Sequence, residues 1–157
     1  MNDADAEHLR RAIAVAHEAR LHGDEPFGAV LVDASGTVMA EARNTKITDR
    51  DPTGHAEINL VRTVARQHDV GVLYGCTLYA STEPCAMCSA AIYWSGIGRV
   101  VFGLGSQTLL AMVATNSDHD ALVVPSREIF ASGKRPVRVE GPMLEDEAAA
   151  VHEGFWT

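Results

Sequence analysis

Two short runs constrain this chain more than anything else in it: Gly54-His55-Ala56-Glu57, and Thr82-Glu83-Pro84-Cys85-Ala86-Met87-Cys88. Each stands where a helix is predicted to begin. Glu57 to Gln67 carries Ile58, Val61, Val64 and Ala65 at helical spacing. Pro84 suits the first turn of a second helix, running to about Trp94, because the N–H that proline lacks would have no partner there. Cys85 and Cys88 then share one face, a turn apart. A helix N-terminus lowers a thiol's pKa and so supplies the thiolates that zinc needs. Two helix starts facing one ion would place His55, Cys85 and Cys88 around a single zinc per chain. Three protein ligands leave the fourth tetrahedral position to water, the arrangement of a catalytic site. Glu57, two residues from the histidine, is placed to take a proton from that water and give it to a leaving group.

Other readings of the cysteines stay open at this point. The Cys-x-x-Cys pair alone suits zinc, thiol redox chemistry or no ligand equally well. The thioredoxin-like reading is weakened because the preceding strand ends in Glu83-Pro84. A closed structural zinc site needs a fourth ligand; Cys76 is the first candidate, followed by His68, His119 and His152. His55 and Glu57, each at a helix start, shift the balance to catalytic zinc.

The rest of the chain supplies a framework for such a site. With 157 residues, it is expected to form one domain over residues 1–157, large enough for a core without disulfides. Helical spacing of Leu9, Ala12, Ile13, Ala16 and Ala19 predicts a helix over about 5–22. Phe27 to Val32 and Thr37 to Ala42 read as strands joined by the turn residues Asp33-Ala34-Ser35-Gly36. Residues 43–54 read as a loop, Leu73 to Gly75 as a break, Thr77 to Ser81 and Arg99 to Phe102 as strands, and Leu104 to Val113 as a helix. Asn116 to Asp120 reads as a polar loop, Pro136 to Glu140 as a last strand, and Leu144 to Gly154 as a last helix. Alternation of strands and helices predicts a sheet covered on both faces.

Charge and hydropathy bear on partners. Thirteen Lys and Arg against 21 Asp and Glu give a net charge of −8, and no more than two basic residues are adjacent. A nucleic-acid binder usually carries a basic stripe, so a small neutral substrate is expected and nucleic acid is not. No run of 18 apolar residues occurs, and Met1-Asn2-Asp3-Ala4-Asp5 does not read as a secretory signal; the expectation is a cytoplasmic protein with no membrane partner.

His55-x-Glu57 followed by Pro84-Cys85-x-x-Cys88 is the zinc deaminase signature. The chain resembles the cytidine deaminase-like superfamily, in its branch of nucleobase and tRNA adenosine deaminases. The likeness runs from Pro26-Phe27-Gly28-Ala29 through Arg99-Val100-Val101-Phe102-Gly103. It implies a three-layer α/β/α fold with a five-stranded mixed sheet, zinc-dependent hydrolytic deamination with Glu57 carrying the protons, and a homodimer. Ala91-Ile92-Tyr93-Trp94 and the C-terminal Gly154-Phe155-Trp156 resemble bacterial guanine deaminases, whereas Ile97 to Gly103 is a run shared with the tRNA enzymes. The resemblance therefore implies a free nucleobase, guanine first (guanine to xanthine plus ammonia). The alternatives are adenosine in tRNA, cytosine, a triazine, and a non-catalytic zinc module.

The same resemblance implies a pocket. Asn44 is the base-recognising amide, against the plainer reading of a loop cap. The Ala56 backbone orients the ring, and Phe27 and Trp94 confine it. Trp156 belongs to an aromatic tail that closes over the substrate, in its own chain or its partner's. Asp118, with Asp120 as the other register, is the candidate second catalytic acid. Core packing or a solvated surface is the competing reading for each.

Overall fold

The first helix, α1 (Asp3–Leu21), starts at a capping box: the Asn2 side chain accepts the Asp5 N–H, and the Asp5 carboxylate accepts the Asn2 N–H. Its buried stripe of Leu9, Ala12, Ile13, Ala16 and Ala19 lies on the first strand, β1 (Gly28–Val32). The approach needs glycine at position 28, since a Cβ there would stand 2.4 Å from the Ala12 carbonyl oxygen and 2.5 Å from the Ala16 nitrogen. A turn tied by the Asp33 carboxylate leads back into β2 (Val38–Arg43). The chain continues as α2 (Ala56–Val64), α3 (Val70–Tyr74), β3 (Thr77–Thr82), α4 (Ala86–Ser95), β4 (Arg99–Leu104), α5 (Ser106–Val113), α6 (Ser126–Ala131), β5 (Arg138–Glu140) and α7 (Glu145–Ala150). This is a computed structural model, and it describes residues 2–114 and 120–157.

The five strands form one mixed sheet in the order β2-β1-β3-β4-β5. β1 pairs antiparallel with β2 and β3, while β3, β4 and β5 run parallel. Two apolar clusters cover its faces. One combines β1, β3 and β4 residues Leu31, Leu78 and Phe102 with Leu60, Ile92 and Phe130 from α2, α4 and α6. The other combines Val30, Tyr79 and Val101 with Leu9 and Ala148 from α1 and α7, and Leu109 and Met112 of α5 pack against it. The three-layer α/β/α architecture expected from the sequence is therefore present. No described helix is long and apolar enough to cross a membrane.

An ionic cluster anchors the sheet at the end away from the loops that follow β3 and β4. Arg99 donates to both oxygens of Asp5, at 2.8 and 3.1 Å, and to Glu140, while the Tyr79 hydroxyl donates to Asp5 at 2.7 Å. Arg99 holds the Asp5 carboxyl well below the usual carboxylate range, and burial with the Asp5 bond pushes the Tyr79 phenol up to about 12.

Some elements differ from the expectation. The break at Leu73 to Gly75 lies largely inside the short helix α3. Pro84 precedes the N-cap Cys85 and so lies two residues before the first helical residue, Ala86. β4 runs on to Leu104, so α5 begins at Ser106. The last helix stops at Ala150, with Gly154 at φ +69° in the turns beyond it. α6 was not anticipated; its six residues are too few to show a helical period.

Candidate metal centre and active site

The β3–α4 connection and the start of α2 meet at the carboxyl end of β3. His55 is the N-cap of α2 and Cys85 the N-cap of α4, and neither side chain makes the capping hydrogen bond usual at that position. Both point instead at each other and at Cys88. His55 Nδ1 lies 3.6 Å from Cys85 Sγ and 3.4 Å from Cys88 Sγ, and the three donor atoms fall within 4.8 Å of one another. Zn–N of about 2.05 Å and Zn–S of about 2.3 Å imply N···S edges of about 3.6 Å in a tetrahedron. The residues thus fit a zinc ion in both donor chemistry and spacing. Among the described residues this is the one such cluster of three or more His, Cys, Asp or Glu groups.

The electrostatics agree with that fit. The Cys88 thiol donates to Cys85, which, with His55 and against burial, holds the Cys85 thiol down to about 4. Cys88 is pushed well up by donating to Cys85 and by burial. The hydrogen bond to Cys85 raises His55, and burial opposes it. Zinc takes cysteine as thiolate, so its binding is coupled to release of the proton that burial and Cys85 favour on Cys88. Glu57, on the first turn of α2 and 6% exposed, lies with Oε2 3.4 Å from Cys88 Sγ. Burial, then the Cys85 charge, pushes its carboxyl up toward the proton-holding form.

None of the fourth-ligand candidates within the described residues joins the cluster. Cys76 Sγ lies 3.5 Å from Met39 Sδ and 3.4 Å from the Val72 carbonyl oxygen. His152 is engaged with Trp156 and Thr82. His68 is absent from the group, and His119 lies outside the described residues.

Asn44 follows β2 and is 0% exposed. Its N–H bonds the Phe27 carbonyl at 3.0 Å, and its Oδ1 accepts the Lys46 N–H at 3.0 Å. Its Nδ2 is the one buried side-chain N or O, among the described residues, without a hydrogen-bond partner. Oδ1 thus closes an Asx-type turn, which is the loop-cap reading, while the donor half of the amide is spare. Ala56 opens α2, so its N–H has no partner within the helix. Phe27 sits between the α2 side of the core and the C-terminal residues, with ring centroids 5.3 Å from His152 and 6.1 Å from Trp156.

Two expectations fare differently. Trp94 leaves 80% of its surface exposed and meets Tyr93 edge-on, so it forms no enclosing wall in its own chain. A surface aromatic six positions past Cys88 has turned away from the face that carries the ligand. Asp118 lies outside the described residues, and the alternative, Asp120, is exposed.

The sequence reading missed Glu83. Its carboxylate accepts the Ser106 N–H at 3.0 Å, the Ser126 N–H at 3.0 Å and the Ser126 hydroxyl at 2.8 Å. Burial pushes this carboxyl up, but these hydrogen bonds outweigh it and hold it below its ordinary value. The residue before Pro84-Cys85 thereby ties the metal loop to the starts of α5 and α6. Gly105-Ser106 and Pro125-Ser126 are the helix-start chemistry that signals it.

The family described as "Cytidine and deoxycytidylate deaminase zinc-binding region" matches residues 2–104. A "Probable cytosine deaminase" of Schizosaccharomyces pombe is 42% identical over 156 residues, spanning 99% of this chain and 94% of that protein. A "Guanine deaminase" of Bacillus subtilis is 43% identical over 88 residues, 55% of this chain and 56% of that protein. A solved chain from a study of A-to-I editing by tRNA:A34 deaminases superposes with a TM-score of 0.72 at 30% identity, covering 93% of this chain and 99% of the other.

Proposed function

The chain belongs to the cytidine and deoxycytidylate deaminase zinc-binding family, whose members are hydrolytic deaminases with zinc as cofactor, and on that premise we propose that its substrate is a free nucleobase. The observation that carries this reading is the buried, unpartnered Nδ2 of Asn44, whose neighbour Thr45 pairs with Gly54, the residue before the candidate ligand His55. A buried donor with no partner costs about 1–3 kcal/mol. It is retained where a ligand acceptor, here a base carbonyl, completes it.

Zinc, when bound, supplies the Lewis acid that makes water nucleophilic near neutral pH. His55, Cys85 and Cys88 hold it. Glu57 accepts the water proton and delivers it to the ring nitrogen next to the amine, and a second proton passes through the same carboxyl to the departing ammonia. Its burial keeps bulk water from taking the proton. Asn44 Nδ2 and the Ala56 N–H orient the ring, with Phe27 and Trp156 as its apolar walls. A homodimer gives the exposed Trp94 a partner surface, so that it confines the base from the second copy.

Cytosine and guanine both carry an exocyclic amine beside a ring nitrogen, together with a carbonyl. Cytosine comes first, because the likeness to the probable cytosine deaminase runs through residues 105–157, beyond the shared zinc-binding region. Guanine is the second reading, favoured by Tyr93-Trp94 and the aromatic tail. Against adenosine in tRNA stands the charge of −8. The fold does gather Arg127, Lys134 and Arg135 along one groove. Two of those three are already bound to backbone carbonyls, Arg127 to Gly141 and Arg135 to Ile97 and Tyr93.

The test is ammonia release from cytosine, guanine, adenine and their nucleosides, with inosine formation in tRNA assayed in parallel. Turnover of a free base that varies little between low and moderate salt supports the proposal. Inosine in tRNA, with turnover collapsing as salt rises, replaces it with the RNA reading.

A further inference from the structure

The last seven residues leave α7 on one face of the sheet and cross to the other. Val151 packs with the α1 and α7 cluster, whereas Phe27, which Trp156 reaches, packs with the α2 and α4 cluster. The crossing passes over the carboxyl end of β3, where His152 Nε2 lies 3.5 Å from the hydroxyl of Thr82, three residues before Cys85. Carboxyl ends of parallel strands are where ligands bind in open α/β sheets.

The tail is fastened to its own chain. Arg20 Nη1 donates to the carbonyls of Val151 and Glu153, at 2.8 and 2.7 Å, and its guanidinium lies 5.7 Å from the Phe155 ring centroid. Trp156 is 9% exposed, and its indole N–H donates to His152 Nδ1 at 3.1 Å. An indole nitrogen can only donate, so Nδ1 is the bare nitrogen and the imidazole is the neutral Nε2–H form. The two rings stack at 6.0 Å and 14°, and Phe27 meets the imidazole edge-on.

We propose that His152 is a positioning residue for the base-binding site: it fixes Trp156 against Phe27, so that the C-terminal tail closes the site of its own chain. This rests on the reading of Phe27 and Trp156 as walls of the base pocket. His152 meets Trp156, Phe27 and Thr82, and it acts through the two aromatic walls. Its contribution therefore falls on substrate binding more than on the chemical step.

Two variants test it. His152→Phe keeps a stacking ring and loses the acceptor, while His152→Asn places Oδ1 near the position of Nδ1. The expected result for His152→Phe is a KM raised about tenfold, one net hydrogen bond's worth of binding, with kcat within about threefold and zinc content unchanged. His152→Asn is expected to recover KM to within about threefold of the parent. An unchanged KM in His152→Phe, parallel loss of kcat and zinc, or no recovery in His152→Asn overturns the proposal. A second readout needs no turnover. The chain has two tryptophans, so a Trp94→Phe background isolates the emission of Trp156. That emission is expected to shift red in His152→Phe and to stay blue in His152→Asn. If the parent deaminates no base, the substrate proposal fails while the fluorescence still decides whether His152 holds the tail; equal emission in all three proteins refutes it.

Discussion

Replacing Asn44 with alanine removes two atoms whose contributions to stability have opposite signs. Oδ1 accepts the Lys46 N–H at 3.0 Å, a bond worth about 1 kcal/mol net. Nδ2 is buried without a partner, and deleting it relieves about 1–3 kcal/mol of desolvation. A residual void of about 25 Å³ costs about 0.6 kcal/mol at about 24 cal/mol per Å³. The three effects nearly cancel, so Asn44→Ala is expected to unfold in urea within about 1 kcal/mol of the parent, with an unchanged m-value. Activity behaves differently, because the substrate carbonyl then loses its donor inside a closed site. A loss of about 1–3 kcal/mol of transition-state binding lowers kcat/KM about 5- to 150-fold in an ammonia-release assay. The reasoning is refuted if the variant loses more than about 2 kcal/mol of stability while kcat/KM stays within threefold. Asn44 would then be a loop cap and nothing more.

Further outcomes follow from the centre and the tail. Glu57→Gln keeps size and hydrogen bonding but cannot carry a proton; turnover is expected to fall by at least about 10²–10⁴-fold with normal zinc content, and activity within threefold of the parent assigns the proton to another group. Cys85→Ser removes the group held as a thiolate with a pKa of about 4, and elemental analysis is expected to find well under one zinc per chain. Full occupancy in that variant refutes the ligand set. Burial, with Arg20 nearby, lowers His152 to about 4 from an unfolded value of 6.5. The neutral folded form is therefore favoured above pH 6.5, and its contribution of roughly 3 kcal/mol is lost as pH falls from 6.5 toward 4. Urea midpoints across that window are expected to drop in the parent and to flatten in His152→Asn.

Much of the centre was legible because its information is local. Cys85 and Cys88 are one helical turn apart whatever the rest of the chain does, and His55 and Glu57 open another helix whose apolar period is visible in Ile58, Val61 and Val64. The α/β/α layering was legible for the same reason, since periods of two and 3.6 residues decide which face each element buries. Short elements were not. α3 and α6 offer no full period, and α4 starts two residues beyond its proline because Cys85 itself takes the cap.

Only the tertiary structure decided the remaining roles. Residue type marks Asn44 as a cap or a recognition amide, and the choice between them depends on one unpartnered nitrogen that only the packing around it defines. Nothing near Glu83 in the chain announces that its carboxylate will receive N–H groups from positions 106 and 126. Trp94 and Trp156 look alike as aromatic residues, yet one is 80% exposed and the other 9%. The difference is that a helix turns position 94 outward, whereas Arg20, more than a hundred residues away in the chain, and His152 within the tail draw the C-terminus inward. Spacing specifies what one turn of backbone can present, while burial, pairing and the closing of a site depend on contacts between segments far apart in sequence, which exist only once the sheet has brought them together.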